Sequence, residues 1–228
     1  MDRPFVYLNM AATVDGKITS AAREYPRLTS RFDRDSMDRL RAESDAILVG
    51  ARSIRADNPF LHVRSEEMRA HRRSLGKPDS LLRIAVTASL DLGRESRFFD
   101  DTFGSDRIIA TLEQAPRERL AGVESRAEIW KFDSDRVDLR LLLQRLKQRG
   151  VERLLAEGGG ELNWALLEHD LVDELYVTIA PTLLGGREAP TLLEGAGLAM
   201  ADQRRLRLVD LHREGDELYL RYALDRSS

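Results

Sequence analysis

Cysteine is absent from the 228 residues. That excludes disulfides, zinc–thiolate sites and cysteine nucleophiles together. It also excludes a zinc nucleobase-deaminase centre, which needs a Pro-Cys-x-x-Cys element. Histidine is scarce. His62, His71, His169 and His212 are scattered without metal-ligand spacing, so no metal is expected. His71 lies in a polar stretch and His169 at a predicted helix end, and both are expected at the surface. No apolar run approaches membrane-spanning length. The first four residues lead into a strand-like run, without the apolar core of a signal peptide. A cytoplasmic protein with no membrane partner is expected. An excess of positive charge is also lacking: the net charge is −3, which argues against nucleic acid as a partner. With 42% hydrophobic and 33% charged residues, a globular protein with a charged surface is expected. No repeat, low-complexity tract or linker interrupts the chain, so one domain over residues 1–228 is expected.

Short apolar runs at residues 5–12, 46–50, 82–87, 107–111, 127–132, 151–156 and 173–180 predict buried strands. Helical spacing of Leu139, Leu142, Leu143 and Leu146, closed by Gly150, predicts a helix. Further helices are expected at 35–41, 51–56, 66–73, 115–120 and 161–169. The first of these has Asp33 or Asp35 as its cap, after a polar loop over 27–34. Residues 65–80 form a charged surface excursion. Its cluster of Arg69, Arg72 and Arg73 is expected to be a solvated helix face. Two alternating runs, 204–214 and 217–224, flank Gly215-Asp216 and predict an antiparallel hairpin with one wet face. The pattern slips at Val209, which suggests a bulge there. Strands alternating with helices imply a three-layer α/β/α fold on a mostly parallel sheet, ending in that hairpin.

Four loops that follow predicted strands concentrate Gly, Asp, Lys and Asn: 12–19, 50–64, 87–94 and 157–163. In open α/β sheets, ligands bind beyond the carboxyl ends of the strands. Each loop alone reads most simply as a tight turn; four together point to a site. Gly158, Gly159 and Gly160 stand between a strand and a helix. Such a run lets a backbone approach a ligand and aims the amides of the first helical turn at an anion. It is neither G-x-G-x-x-G nor a P-loop, so a dinucleotide site here is of another kind. Lys17, Asp57 and Glu157 are the acid–base candidates. Each has a plain alternative: a solvated turn residue, a helix stop and a carboxylate at a helix N-terminus, respectively. Trp164, just inside the helix, is expected in the core.

The motifs 12–17 (ATVDGK), 46–50 (AILVG), 56–64 (ADNPxLxxR), 157–164 (EGGGxLNW), 171–174 (LVDE) and 179–186 (IAPxLxGG) resemble the riboflavin-biosynthesis reductase family, most of all its stand-alone archaeal and fungal type. The resemblance runs nearly end to end. It implies a dihydrofolate-reductase-like fold. It also implies reduction of 2,5-diamino-6-ribosylamino-4(3H)-pyrimidinone 5′-phosphate to the ribitylamino compound, with hydride from NADPH, or from NADH as the other candidate. Carried over by motif, Lys17, Asp57, Leu61, Arg64 and Glu157 line the substrate, with Arg64 or Lys17 for the 5′-phosphate. Asp57 is the first candidate for the acid that protonates nitrogen as hydride reaches carbon, and Glu157 the second. Gly158, Gly159, Gly160 and Leu162 cradle the cofactor diphosphate. Ala12, Gly50 and Ser53 lie along the nicotinamide and its ribose, and Thr87 and Ser89 at the adenosine end. A cis Gly–Gly bond is expected in the glycine run.

Two positions depart from the family pattern. Asp91 stands where relatives often carry a basic residue, and Arg52 or Arg94 would compensate for it toward a 2′-phosphate. Glu161 stands where a small residue is common. A homodimer is expected, partly by the resemblance and partly because the hairpin and strand 173–180 offer apolar surface and sheet edges. Two other readings stand beside this one: a reductase of the same fold acting on another substrate such as a dihydropterin, and a nucleotide-binding protein without catalysis. A pterin reader would want a buried carboxylate on a helix, whereas Lys17, Asp57 and Arg64 suit a polar sugar phosphate.

Overall fold

A computed structural model describes residues 2–24, 28–93 and 95–225. Its strands are β1 (Phe5–Thr13), β2 (Ala46–Gly50), β3 (Leu82–Val86), β4 (Arg107–Leu112), β5 (Glu128–Phe132), β6 (Arg153–Ala156), β7 (Glu174–Ala180), β8 (Leu206–Glu214) and β9 (Glu217–Leu224). Its helices are α1 (Arg31–Glu43), α2 (Ala51–Asp57), α3 (Glu66–Ser74), α4 (Arg117–Ala121), α5 (Leu139–Gln148) and α6 (Gly160–Glu168). The chain forms two compact units. One comprises Met1–Pro4 and Asp38–Leu155, the other Phe5–Met37 and Ala156–Ser228. The fold is α/β with mostly parallel strands and an antiparallel C-terminal hairpin, as the patterning predicts.

In the first unit the strands run in the order β5-β4-β3-β2-β6. The pairs β2–β3, β3–β4 and β4–β5 are parallel, with Ala46 opposite Leu82 and Ile84 opposite Ile108. β2, β3, β4 and β6 are mostly buried and carry largely apolar runs, whereas the edge strand β5 is half-exposed and alternates. Ile47, Leu48, Ile84, Ile108 and Ile109 are fully buried, as are Leu142, Leu143 and Leu146 of α5. Each such side chain contributes roughly 1.5–3 kcal/mol of transfer free energy. Asp138 caps α5 by accepting from the Leu141 amide at 2.9 Å. Asp45, just before β2, accepts from the amides of Glu152 (2.9 Å) and Arg153 (2.8 Å), tying β6 to the start of β2.

In the second unit the order is β1-β7-β9-β8. β1 and β7 are parallel with Ala12 opposite Ile179, and β7–β9 and β9–β8 are antiparallel. The register shifts between Leu208 and Asp210, so the bulge lies at Val209 as the sequence slip implies. The expectation of one wet face fails for β8, which is exposed along its whole length. Leu206, Leu208, Val209 and Leu211 are each at least 39% exposed. Alternation describes a strand covered on one side; β8 is an edge strand with little cover, Phe32 stacking on His212 and Leu206 bordering a cavity.

Two other expectations are corrected. Residues 31–34 are helical, and α1 starts four residues before Asp35. The Ser30 hydroxyl accepts from the Phe32 amide at 3.1 Å and starts the turn. Asp33 sits inside that turn and accepts from the hydroxyls of Thr178 (2.5 Å) and Thr29 (2.8 Å). Burial pushes its carboxyl pKa upward. Arg27, also placed in the loop, lies outside the described residues. The arginine cluster of α3 is not a uniformly solvated face. Arg73 is exposed, but Arg72 is only 1% exposed. Its guanidinium donates to the carbonyls of Arg41 and Ala42 (3.2 Å each) and Ser80 (3.1 Å), and also to those of Ser44 and Pro78. Exchanging Arg72 for Met keeps the bulk but strands those carbonyls. The Arg72→Met variant is expected to lose about 3 kcal/mol of stability, read as a lower urea midpoint at unchanged m-value.

Candidate active site

β1 delivers the buried Ala12 and Thr13 to a tight loop. Gly16, at φ +79°, turns the chain so that the Thr13 amide donates to the Lys17 carbonyl at 2.9 Å. The Thr13 hydroxyl accepts from the Lys17 amide (2.9 Å) and donates to Asp15 (2.6 Å). Asp15 also accepts from the amides of Leu184 (3.1 Å) and Gly185 (2.6 Å). Asp15 thus ties the loop after β1 to the loop after β7. A carboxylate with three donors favours its charged form. The Thr13 hydroxyl and the Gly185 and Leu184 amides lower its pKa to about 2. Sequence reasoning took Asp15 for a turn former, since its partners lie some 170 positions on. The Lys17 ammonium donates to the Ala189 carbonyl at 3.1 Å. A bridge from Lys17 to Thr191 runs beside it.

Beyond β6, Glu157 is half-buried and Gly158 is buried at φ +81°. The Gly158–Gly159 peptide is cis, as the resemblance implies. Gly159 caps α6 in extended conformation, and no side chain caps that helix. Packing against backbone requires glycine at 160, and the left-handed backbone favours it at 158. A Cβ on Gly158 would come within 2.9 Å of the Met10 sulfur. One on Gly160 would come within 2.6 Å of the Thr191 carbonyl oxygen. The Gly160 carbonyl in turn accepts from the Glu194 amide at 3.0 Å. One turn along, Trp164 occupies the space where a Cβ on Gly195 would lie 2.3 Å from its Cδ1. Trp164 is only half-buried and lines an apolar cavity, so the expected core position is met in part. Leu162 and Asn163 are buried. Asn163 donates to the Leu192 carbonyl at 3.0 Å, while its oxygen has no protein partner. A glycine-capped helix start with no competing side-chain cap fits an anionic diphosphate. Glu161 lies exposed in the first turn.

In the first unit, α2 ends at the exposed Asp57. Asn58, at φ +43°, is a left-handed cap whose amide reaches the Ile54 carbonyl at 3.0 Å. Its side-chain oxygen accepts from the Arg97 amide at 2.7 Å. The helix stop is therefore real, and it presents Asp57 at a fixed helix end. Leu61 is buried and Arg64 is exposed. Gly50 caps α2, with Ser53 half-buried and Arg52 exposed along it. Thr87 is buried, its hydroxyl accepting from the Leu90 amide at 3.0 Å. Ser89 is exposed and accepts from the Asp91 amide at 3.4 Å. The Asp91 carboxylate pairs with Arg55 at 3.7 Å, and its carbonyl accepts from the same side chain at 2.6 Å. Arg94 lies outside the described residues. His71 and His169 are exposed, as expected, and no cluster of metal-ligating side chains exists among the described residues. Among those residues no helix is long and apolar enough to cross a membrane.

The sequence matches the RibD C-terminal domain over residues 4–220. The chain belongs to that family. Among its relatives is an archaeal protein of Methanothermobacter thermautotrophicus named 2,5-diamino-6-ribosylamino-4(3H)-pyrimidinone 5′-phosphate reductase. The two are 39% identical over 223 residues, covering 97% of this chain and 99% of the relative. A solved pyrimidine reductase-like protein from Corynebacterium diphtheriae superposes with a TM-score of 0.84 at 22% identity, covering 98% of this chain and 93% of the other. The RibD-type fold also matches dihydrofolate reductase of Enterococcus faecalis, solved with NADP(H), at a TM-score of 0.50 and 11% identity over 97% and 96% of the two chains. The fold is thus dihydrofolate-reductase-like.

The Asp15 clamp sets a pH dependence. Its carboxyl is more acidic in the folded chain, so the contribution is fully present above the ordinary value of 3.8 and is lost as pH falls toward 2. The protection factors of the Leu184 and Gly185 amides, taken relative to the intrinsic exchange rate at each pH, are expected to fall across that window. Asp15→Asn should abolish the pH dependence, as followed by hydrogen exchange or amide NMR.

Proposed function

We propose that this chain, as a single reductase domain over residues 1–228, reduces the ribosylamino side chain of 2,5-diamino-6-ribosylamino-4(3H)-pyrimidinone 5′-phosphate to ribitylamino. The observation that carries this reading is the match, nearly end to end, to an archaeal protein bearing that reductase's name. A nicotinamide cofactor, NADPH in our reading and NADH as the alternative, supplies hydride to C1′ when bound. Gly158, Gly159, Gly160 and Leu162 hold its diphosphate. Ala12, Gly50 and Ser53 hold the nicotinamide and its ribose, and Thr87 and Ser89 the adenosine. The pairing of Asp91 with Arg55 offsets the acid that would oppose a 2′-phosphate, and Arg52 is the cation for that group.

The chain's own chemistry is binding and protonation. Arg64 offers a planar fork suited to the 5′-phosphate, and Lys17 is the second cation. Leu61 and Glu157 line the rest of the substrate. An open-chain imine must gain a proton at nitrogen as its carbon gains hydride. Asp57 supplies that proton from the fixed end of α2, with Glu157 as the second candidate and Lys17 as a further one. A dihydropterin reductase remains the competing chemistry. Lys17, Asp57 and Arg64 suit a sugar phosphate better. Fluorescence titration with NADPH and NADH, then cofactor oxidation with the pyrimidine phosphate, tests the reading. Binding without turnover would favour a nucleotide-binding protein. Asp57→Asn is expected to lower kcat by roughly 10²–10⁴-fold while cofactor affinity stays within a factor of about two. Near-normal turnover would remove Asp57 from the mechanism.

We propose a cytoplasmic homodimer. β8 exposes Leu206, Leu208, Val209 and Leu211, and Leu206 also lines an apolar cavity of about 420 Å³ with Leu198 and Met200. An open edge bearing apolar side chains is a surface that proteins cover. Light scattering should give twice the chain mass, and Leu208→Glu with Leu211→Glu should give monomers.

A further inference from the structure

Between α2 and α3 the chain runs through Leu61, His62, Val63 and Arg64 in no regular structure. The first three are buried, at 1%, 9% and 0% exposure. Among the described residues, no backbone-to-backbone hydrogen bond involves any of the four. Buried carbonyls still need donors. Here all four carbonyls are met by arginines. Arg83 Nε donates to the Leu61 carbonyl at 3.2 Å, and Arg41 Nη1 to that of His62 at 3.0 Å. Arg69 Nη1 donates to the carbonyls of Val63 (2.9 Å) and Arg64 (2.8 Å). The amides of Arg64 and Ser65 are met by a single carboxylate oxygen, Asp38 Oδ2, at 3.1 and 2.8 Å.

The donors are themselves fixed. Arg83, on β3, also reaches the Phe98 carbonyl (3.1 Å) and the Asp100 carbonyl (2.6 Å). Arg69, on α3, is held by Glu66 at 2.8 and 3.0 Å and lies 4.8 Å over the Phe103 ring. Ser65 caps α3 through the Met68 amide, so the segment starts the helix that grips it. The outcome is one exposed guanidinium on a rigid stem. Arg64 Nε lies 3.7 Å from Asp38 Oδ1, whose side chain is only 7% exposed. Around this stem stand Arg41, Arg69 and Arg83, with Asp38 beside Arg64 and Glu66 paired to Arg69. Burial, and then the nearby charges of Arg41 and Arg83, lower the pKa of His62.

We infer that Asp38, Arg69 and Arg83 are positioning residues, which fix the backbone of 61–64 so that Arg64 meets the substrate phosphate in one orientation. They set substrate affinity without touching the substrate. This rests on the reading that Arg64 binds the 5′-phosphate. Arg69 is the residue to test, because one side chain meets two of the four carbonyls.

The full-length Arg69→Ala and Arg69→Lys variants are compared with wild type by hydrogen exchange, steady-state kinetics with the pyrimidine phosphate, and NADPH titration. A melting curve checks that each variant is folded. In Arg69→Ala the amides of Arg64 and Ser65 should exchange at least about tenfold faster. KM should rise about tenfold, with kcat and cofactor Kd within about twofold. Arg69→Lys, with one point donor in place of a fork, should fall between. Unchanged exchange overturns the inference whatever the kinetics. Faster exchange with unchanged KM overturns it as well. Arg64→Ala tests the underlying reading separately, since an unchanged KM there removes the phosphate contact itself. If the wild type does not turn the substrate over, that reading fails and the exchange data alone decide whether Arg69 holds the segment.

Discussion

Buried carbonyls outside helices and strands must find donors, and in the first unit arginine supplies them. Arg72 serves five carbonyls and Arg83 serves those of Leu61, Phe98 and Asp100. A guanidinium has five N–H groups in one plane and suits such work. Its charge is hard to remove even at some cost in hydration. Burial lowers the Arg83 pKa to about 10, which still leaves it protonated at neutral pH. The segment 61–64 between α2 and α3 is therefore shaped by side chains rather than by backbone pairing. A single arginine substitution there reaches several loop residues at once.

The second unit solves the same problem by different means. Its loops are tied by Asp15 and by contacts that only glycine permits. The cradle proposed for a diphosphate is thus packed from behind by Met10, Thr191 and Glu194. A glycine run suggests room for a ligand, yet two of these three glycines make room for the protein itself. Gly159 itself stands at the start of α6, with no side chain capping the helix.

Much of the fold was legible because strand and helix periodicities are strong. The apolar runs became β1 to β7, the leucine spacing became α5, and the slip at Val209 became a bulge. The start of α1 was not legible, since Asp33 is held by Thr178 far along the chain. β8 broke the alternation rule because its apolar side chains have little cover within the unit. Of the site, the glycine run and the Asp57–Asn58 helix end could be read locally. The buried roles of Arg72 and Arg83 could not. Arginine in sequence signals solvent, and only tertiary structure shows which carbonyls surround it. Asp15 was hidden for the same reason.

Trp164 and Gly195 share one volume: the indole fills the space that any side chain at 195 would need. The two positions are therefore not free to vary independently. A larger residue at 195 requires a smaller one at 164, and a smaller residue at 164 alone opens a void beneath the loop that carries Leu192 and Glu194. In an aligned set of such chains, this pair should drift together, and the loop should change its length least where the indole is kept.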